Sequence, residues 1–193
     1  MIIWIAVLGV LVLLFVWGNN RYNYMVSGEE LVSKAWSDVE SQYQRRSDLL
    51  PNLVETVKGY AKHEKSTLQA VIEARAKATQ VTVNPDNMTP EKLAEYQAAQ
   101  SQVGSAIGRL LVSVEQYPDL KANQNFKELQ AQLESTENRI AVHRQRFNDM
   151  AQKYNVLIRR FPSNIIASMF GFEKKGYFEA EAGSEKAPQL NFD

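Results

Sequence analysis

The sequence predicts an all-α protein, an up-and-down antiparallel bundle of long helices behind a single N-terminal transmembrane helix. Three observations carry this expectation. Residues 1–17 contain no charged or polar side chain. The next stretch, about 140 residues, places its apolar side chains at alternating three- and four-residue steps, the spacing of one buried helix face. Its interruptions fall at proline-containing turns, Asn84-Pro85-Asp86, Tyr117-Pro118-Asp119 and Phe161-Pro162.

At 1.5 Å per residue the apolar run reaches roughly 26 Å, slightly short of a hydrocarbon core of about 30 Å, with Trp4 and Trp17 placed to anchor its ends. No basic segment precedes the run, and Trp17-Gly18-Asn19-Asn20-Arg21 follows it in place of a small-x-small cleavage site. It therefore reads as a retained anchor over residues 1–20 and not as a cleaved signal peptide. Arg21 and Lys34 follow the run, which by the positive-inside rule puts the domain at residues 21–178 on the cytoplasmic side.

Between Tyr22 and Gln80 one stripe runs through Val32, Trp36, Val39, Tyr43, Leu50, Leu53, Val57, Tyr60, Leu68, Val71 and Ile72. Leu50-Pro51 is the obvious breaker, because proline lacks an amide donor and costs about 3 kcal/mol inside a helix. Ser47 or Asp48 is able to cap a new helix there, yet the stripe keeps its phase across Pro51, so a continuous kinked helix is equally consistent. The bundle has four helices in the first case and three in the second. Val81 to Met88 reads as a loop, and Thr89-Pro90-Glu91 supplies an N-cap, a proline at the first helical position and an acid in the first turn. The next stripe is Leu93, Tyr96, Gln100, Val103, Ile107, Leu110, Val114 and Tyr117. Asn123 or Asn125 then caps a last long helix bearing Phe126, Leu129, Leu133, Thr136, Ile140, His143, Phe147, Met150, Tyr154, Leu157 and Phe161.

Ser163 to Phe178 is apolar and aromatic, which suits a short helix and turn closing one end of the bundle; an interfacial segment on lipid is the alternative. Residues 179–193 are expected to form a mostly mobile polar tail, whose segment 188–192, with Leu190 and Phe192, reads either as a docking hook or as a frayed end. Length raises a further question. A single helix over 22–80 would reach roughly 88 Å, against about 42 Å and about 55 Å for the other two. Either the chain folds back near Pro51, or the face of Val32, Trp36, Val39 and Tyr43 is covered by copies of the chain. The second option predicts a homo-oligomer with those four residues, Leu190 and Phe192 as its contacts.

Lys plus Arg and Asp plus Glu are each 22, so no net field favours nucleic acid, and the doublets Arg45-Arg46 and Arg159-Arg160 and the pair Arg144 and Arg146 lack interleaved aromatics. With no cysteine there is no thiolate nucleophile, disulfide or thiolate metal site. His63 and His143 fit no metal-ligand spacing, and His143, on the stripe, reads as a hydrogen-bonded core histidine. No catalytic residue, metal or cofactor is expected. Gly104 and Gly108 are spaced for close helix contact. Arg46 and Glu64 fall on the heptad seam, where each is either paired or extended to the bundle edge.

The segment Gln44-Arg45-Arg46-Ser47-Asp48-Leu49-Leu50-Pro51-Asn52-Leu53, with Ala35-Trp36-Ser37-Asp38, Phe147-Asn148, Tyr154-Asn155, Phe161-Pro162 and Pro188-x-Leu190-x-Phe192, resembles the LemA family of bacterial membrane proteins over nearly the whole chain. The resemblance implies an anchored antiparallel bundle with no recognised enzymatic activity, and a break near Pro51 giving four helices. His143 and Arg146 depart from it, standing where the family more often has a small residue and an aromatic. The motif's polar residues Arg45, Arg46, Asp48, Asn52 and Glu55 are the expected partner or conformational surface. The functional expectation is a non-enzymatic scaffold that self-associates at the bacterial inner membrane. An adaptor for another membrane protein, such as a protease or envelope-stress factor, is the alternative.

Overall fold

The computed structural model describes residues 2–61 and 63–180. Its elements are α1 (Ile2–Tyr60), α2 (Lys65–Gln80), α3 (Pro90–Val114), α4 (Pro118–Ala122), α5 (Gln124–Arg159) and α6 (Ser163–Phe170), with a 3-10 turn at Pro85–Asn87 and an extended strap over 171–180. Strands are absent among the described residues. An 18-residue apolar window of mean hydropathy 2.4 at the start of α1, none of it buried, is long and apolar enough to cross a bilayer.

α1 does not break at Pro51. Neither the fold-back nor the break implied by the family resemblance is there, and Ser47 and Asp48 lie inside the helix instead of capping one. The reason is a substitute hydrogen bond. Proline at 51 removes the donor that the Ser47 carbonyl would meet four residues on. Arg75 of α2 supplies it, its Nε donating to the Ser47 carbonyl at 3.0 Å and to Ser47 Oγ at 3.1 Å. Arg75→Ala is therefore expected to cost about 1–3 kcal/mol, and the loss is expected to shrink in a Pro51→Ala background, where residue 51 regains its amide. A double-mutant cycle in urea reads this coupling, and equal losses in the two backgrounds would refute the substitution.

The reversal comes later, between α1 and α2, and sends α2 back along α1. At this distal end Tyr117 donates to Glu64 at 3.1 Å and Asn123 donates to the Tyr60 hydroxyl at 2.9 Å, so one turn is tied to the next. The later caps are as expected. Thr89 accepts from the Lys92 amide, Pro90 sits in the first turn, and Asn123 accepts from the Phe126 amide at 3.0 Å. A hydrogen bond from its own backbone amide holds the Glu91 carboxyl below its usual range, with the Thr89 hydroxyl adding to the effect.

α1, α2, α3 and α5 make four helices in the distal half, around Leu50, Leu53, Val71, Leu110, Leu120 and Leu133. α2 has only 16 residues and cannot reach the membrane-proximal half of α1. α5, with 36 residues, does. It runs antiparallel to α1, bringing Phe147 to Trp36 and Tyr154 to Glu29. Val32, Trp36, Val39 and Tyr43 are consequently buried within their own chain by α5, which is neither of the two expected alternatives, a fold-back near Pro51 or cover by another copy. The heptad pattern of α5 simply extends further than its neighbours on the other side. Three smaller corrections follow. Phe161 is exposed rather than closing the α5 stripe. His143 is half-buried, and its Nδ1 has no hydrogen-bond partner among the described residues. A Cβ on Gly104 would meet only Arg46, and one on Gly108 would meet nothing within 4 Å, so these glycines do not bring two backbones together.

The place of a fourth helix in the proximal half is taken by the strap. After α6, Gly171 adopts φ 74° at the helix end, the left-handed conformation that glycine tolerates without strain, and the chain turns back up α5. An extended segment has backbone donors and acceptors to satisfy, and here three side-chain amides meet them as a neighbouring strand would. Asn155 accepts from the Lys175 amide and donates to its carbonyl; Asn148 does the same for Phe178, and Gln97 of α3 for Glu179. The spacing fits. Seven helical residues from Asn148 to Asn155 rise about 10.5 Å, and three extended residues from Lys175 to Phe178 cover about 10 Å. Gly176 is required between these points, since a Cβ there would lie 2.9 Å from Pro90 Cα. Phe178 then stacks on Trp36 with ring centroids 6.0 Å apart, completing the proximal core.

Candidate functional site

The two apolar cores are separated by a polar layer centred on Arg46. Its guanidinium donates through Nη1 to Glu137 Oε1 of α5 at 2.8 Å, and through Nη2 to the Gln100 carbonyl and Oε1 of α3 at 2.9 and 2.8 Å. The fork sits over the Tyr43 ring at 5.1 Å. Arg46 is 3 % exposed, so its charge is held away from water by partners on two other helices. The Ser47–Arg75 contact joins α2 to the same level. A planar donor that must reach three acceptors fixes the relative height of α1, α3 and α5, because sliding any helix by one residue strands an acceptor.

Above Arg46, α3 and α5 part to leave a cavity of about 670 Å³. α3 lines it with short side chains, Ala94, Ala98, Ser101 and Ser105, which leave the space between the two helices unfilled. α5 contributes Glu137, Ile140 and Arg144, and the strap enters one end through Gly176, Tyr177, Glu179 and Ala180. Arg144 donates to the Glu179 carbonyl at 2.8 Å, with its guanidinium 4.9 Å from the Phe178 ring centre. The groove thus has a cationic floor, mixed charge on its walls and room for a polypeptide backbone. Beneath it, burial and then the nearby Tyr43 push the Tyr96 phenol far above its ordinary range. Tyr154 is raised in the same way by burial and by Glu29, so both phenols stay neutral at physiological pH.

The five residues expected to form one surface divide. Arg46 points inward, whereas Arg45, Asp48, Asn52 and Glu55 lie on the exposed opposite face of α1. Asp48 accepts from Gln44 and Glu55 pairs with Lys58, both contacts within the helix. The outer four form a solvated stripe, on which Arg45 and Asp48 line a shallow depression with Glu40, Ser41 and Gln44. Leu190, Phe192 and the whole 188–192 hook lie outside the described residues. Among the described residues no group of three or more acidic or histidine side chains is arranged to hold a metal.

Sequence reasoning missed the strap ladder and its buried anchor, Lys175. That ammonium is 2 % exposed, 2.6 Å from Glu29 Oε1 on α1 and 3.3 Å from the Pro85 carbonyl. The available signal was the pair Asn148 and Asn155, polar residues two helical turns apart beside stripe positions. Gln97 and Glu137 carried no signal of their own.

A model described as the LemA family matches residues 35–192. The chain belongs to the LemA family. The matched region takes in the Arg46 layer, the groove and the strap, and leaves out the apolar run. Among relatives of this LemA chain, magnetosome protein MamQ 1 of Paramagnetospirillum magneticum is 28 % identical over 88 % of this chain and 70 % of its own length. Magnetosome protein MamQ of Magnetospirillum gryphiswaldense is 30 % identical over 84 % and 66 % respectively. Protein LemA of Metamycoplasma hominis is 26 % identical over 83 % and 70 %. Family membership, the helical fold and the apolar N-terminal helix together make this a membrane-associated LemA helical protein.

Proposed function

We propose that this LemA chain is a non-enzymatic, membrane-tethered scaffold that acts as an adaptor, taking an extended segment of another membrane protein into the groove between α3 and α5. One observation carries the reading: the strap already lies extended at one end of that groove, its backbone met by Gln97 and Arg144, and the small-residue wall of α3 continues beyond it. The surface is thus shaped for main-chain hydrogen bonding with few side-chain demands. The positive-inside rule, read from Arg21 and Lys34 behind the apolar run, supports a bundle on the cytoplasmic side of the bacterial inner membrane.

The test is a photo-reactive residue at Ala98 or Ser101, irradiated in membranes of the native host, with the same residue at Asp48 on the outer face as control. The adaptor reading expects one product of defined extra mass from both groove positions, absent from Asp48 and lost when Ala98→Trp fills the wall in the Ser101-labelled chain. A product of twice the chain's mass would make the occupant a second copy and restore self-association as the function. A crosslink adding no mass and mapped by peptide sequencing to residues 181–193 would make the chain's own C-terminal residues the occupant and end the adaptor reading.

A further inference from the structure

α6 packs beside α1 just beyond the end of the apolar run. A Cβ on Gly18 would lie 3.7 Å from Ile166 Cδ1, and the Tyr22 ring sits 4.8 Å from Phe170 and 5.6 Å from Phe172. Gly18 and Tyr22 are one and five residues beyond Trp17, so α6 packs on α1 within about 8 Å, measured along the axis, of the end of the apolar run. The headgroup layer on each side of a bilayer is about 5–8 Å thick. The packing partners of α6 also orient it. Ser163 and Ala167 are buried against the bundle, and Ile166 and Phe170 lean on α1. Ile165 and Met169, two residues on from Ser163 and Ala167 at about 100° each, face roughly the opposite way, away from the bundle. They are 51 % and 71 % exposed, and Phe161 four residues earlier is 81 % exposed. Arg159 and Arg160, both exposed, directly precede Phe161 in the chain.

We propose that Phe161, Ile165 and Met169 form a lipid-binding surface, so that α6 lies in the headgroup layer with these side chains among the upper acyl chains and Arg159 and Arg160 against anionic headgroups. Two features on the protein select lipid as the occupant. The face is continuous with the span through Gly18 and Tyr22, so any depth the span adopts carries α6 with it. The apolar run is about 4 Å shorter than a typical hydrocarbon core, and drawing the base of the bundle into the interface by that amount relieves the mismatch while burying the three exposed side chains. The chain then holds the bilayer at two points, and the bundle is fixed in orientation instead of swinging on one helix. This inference stands apart from the α3–α5 groove.

The chain contains no cysteine, so single labels are clean. Full-length Ile165→Cys and Met169→Cys carry an environment-sensitive fluorophore in vesicles of phosphatidylcholine and phosphatidylglycerol, with Val12→Cys as the in-bilayer reference and Val112→Cys as the aqueous one. Both α6 labels are expected to be quenched by lipids spin-labelled near the headgroup, and to resist aqueous iodide several-fold better than the label at 112. Iodide quenching equal to that at 112 without lipid quenching overturns the proposal. Protection from both quenchers also overturns it, because a protein surface then covers the face. Circular dichroism of each labelled chain shows that the bundle is intact.

Discussion

Trp36→Ala is expected to destabilise the protein by about 3–5 kcal/mol, the largest single-residue loss in the chain. Trp36 is fully buried and touches three elements at once: Tyr96 of α3 with ring centroids 5.0 Å apart, Phe147 of α5 at 5.7 Å, and Phe178 of the strap at 6.0 Å. Removing the indole leaves a cavity that long helices cannot collapse around, since their backbones are held apart at the Arg46 layer. Phe178→Ala in the same background is expected to cost less than it does alone, because the stacking partner is already gone. Trp36→Phe provides the contrast. The indole Nε1 has no hydrogen-bond partner among the described residues, and a buried unpaired donor costs about 1–3 kcal/mol. Phenylalanine therefore gives up volume but also removes that penalty, and less than half of the alanine loss is expected. Urea unfolding followed by circular dichroism in detergent measures all four. An alanine variant as stable as the parent would show that the strap and α5 do not close over α1 as described.

Arg46→Ala is expected to cost about 2–3 kcal/mol, less than the loss of a partner in a fully buried ion pair, because Glu137 keeps 45 % of its side chain exposed and can return to water. The Gln100 carbonyl and amide oxygen, buried on α3, carry the remaining penalty. Arg46→Lys is the decisive variant. A single ammonium cannot present the planar fork that reaches Gln100 and Glu137 together, so lysine is expected to recover little. Unfolding midpoints and near-ultraviolet dichroism of Tyr43 and Tyr96, which lie against the layer, give the comparison. A lysine variant with parental stability would mean that charge alone, and not fork geometry, sets helix register.

The site was only partly legible in the sequence. Arg46 could be placed on the seam, because an arginine among stripe residues breaks a visible pattern. Gln100 could likewise be placed on the α3 stripe, but nothing local sets it opposite Arg46, 54 residues away, and Glu137, 91 residues away, lies off the stripe. The groove was invisible for a related reason. Ala94, Ala98, Ser101 and Ser105 look like unremarkable helix surface until α5 is set opposite them. The strap defeated pattern reading because its order comes from side-chain amides on two helices, so it needs no periodicity of its own.

The amino-acid sequence alone determined the helical class, the apolar N-terminal helix, the caps at Thr89 and Asn123 and the turn at Tyr117-Pro118, because each rests on propensities and contacts within a few residues. Tertiary structure decided whether α1 continues through Pro51, what covers Trp36 and which way each arginine faces. Those outcomes depend on groups far apart in the chain: a donor from Arg75 replaces a missing amide, and a long α5 reaches back along α1. The local penalty at Pro51 was readable from one residue, but its offset belonged to another helix.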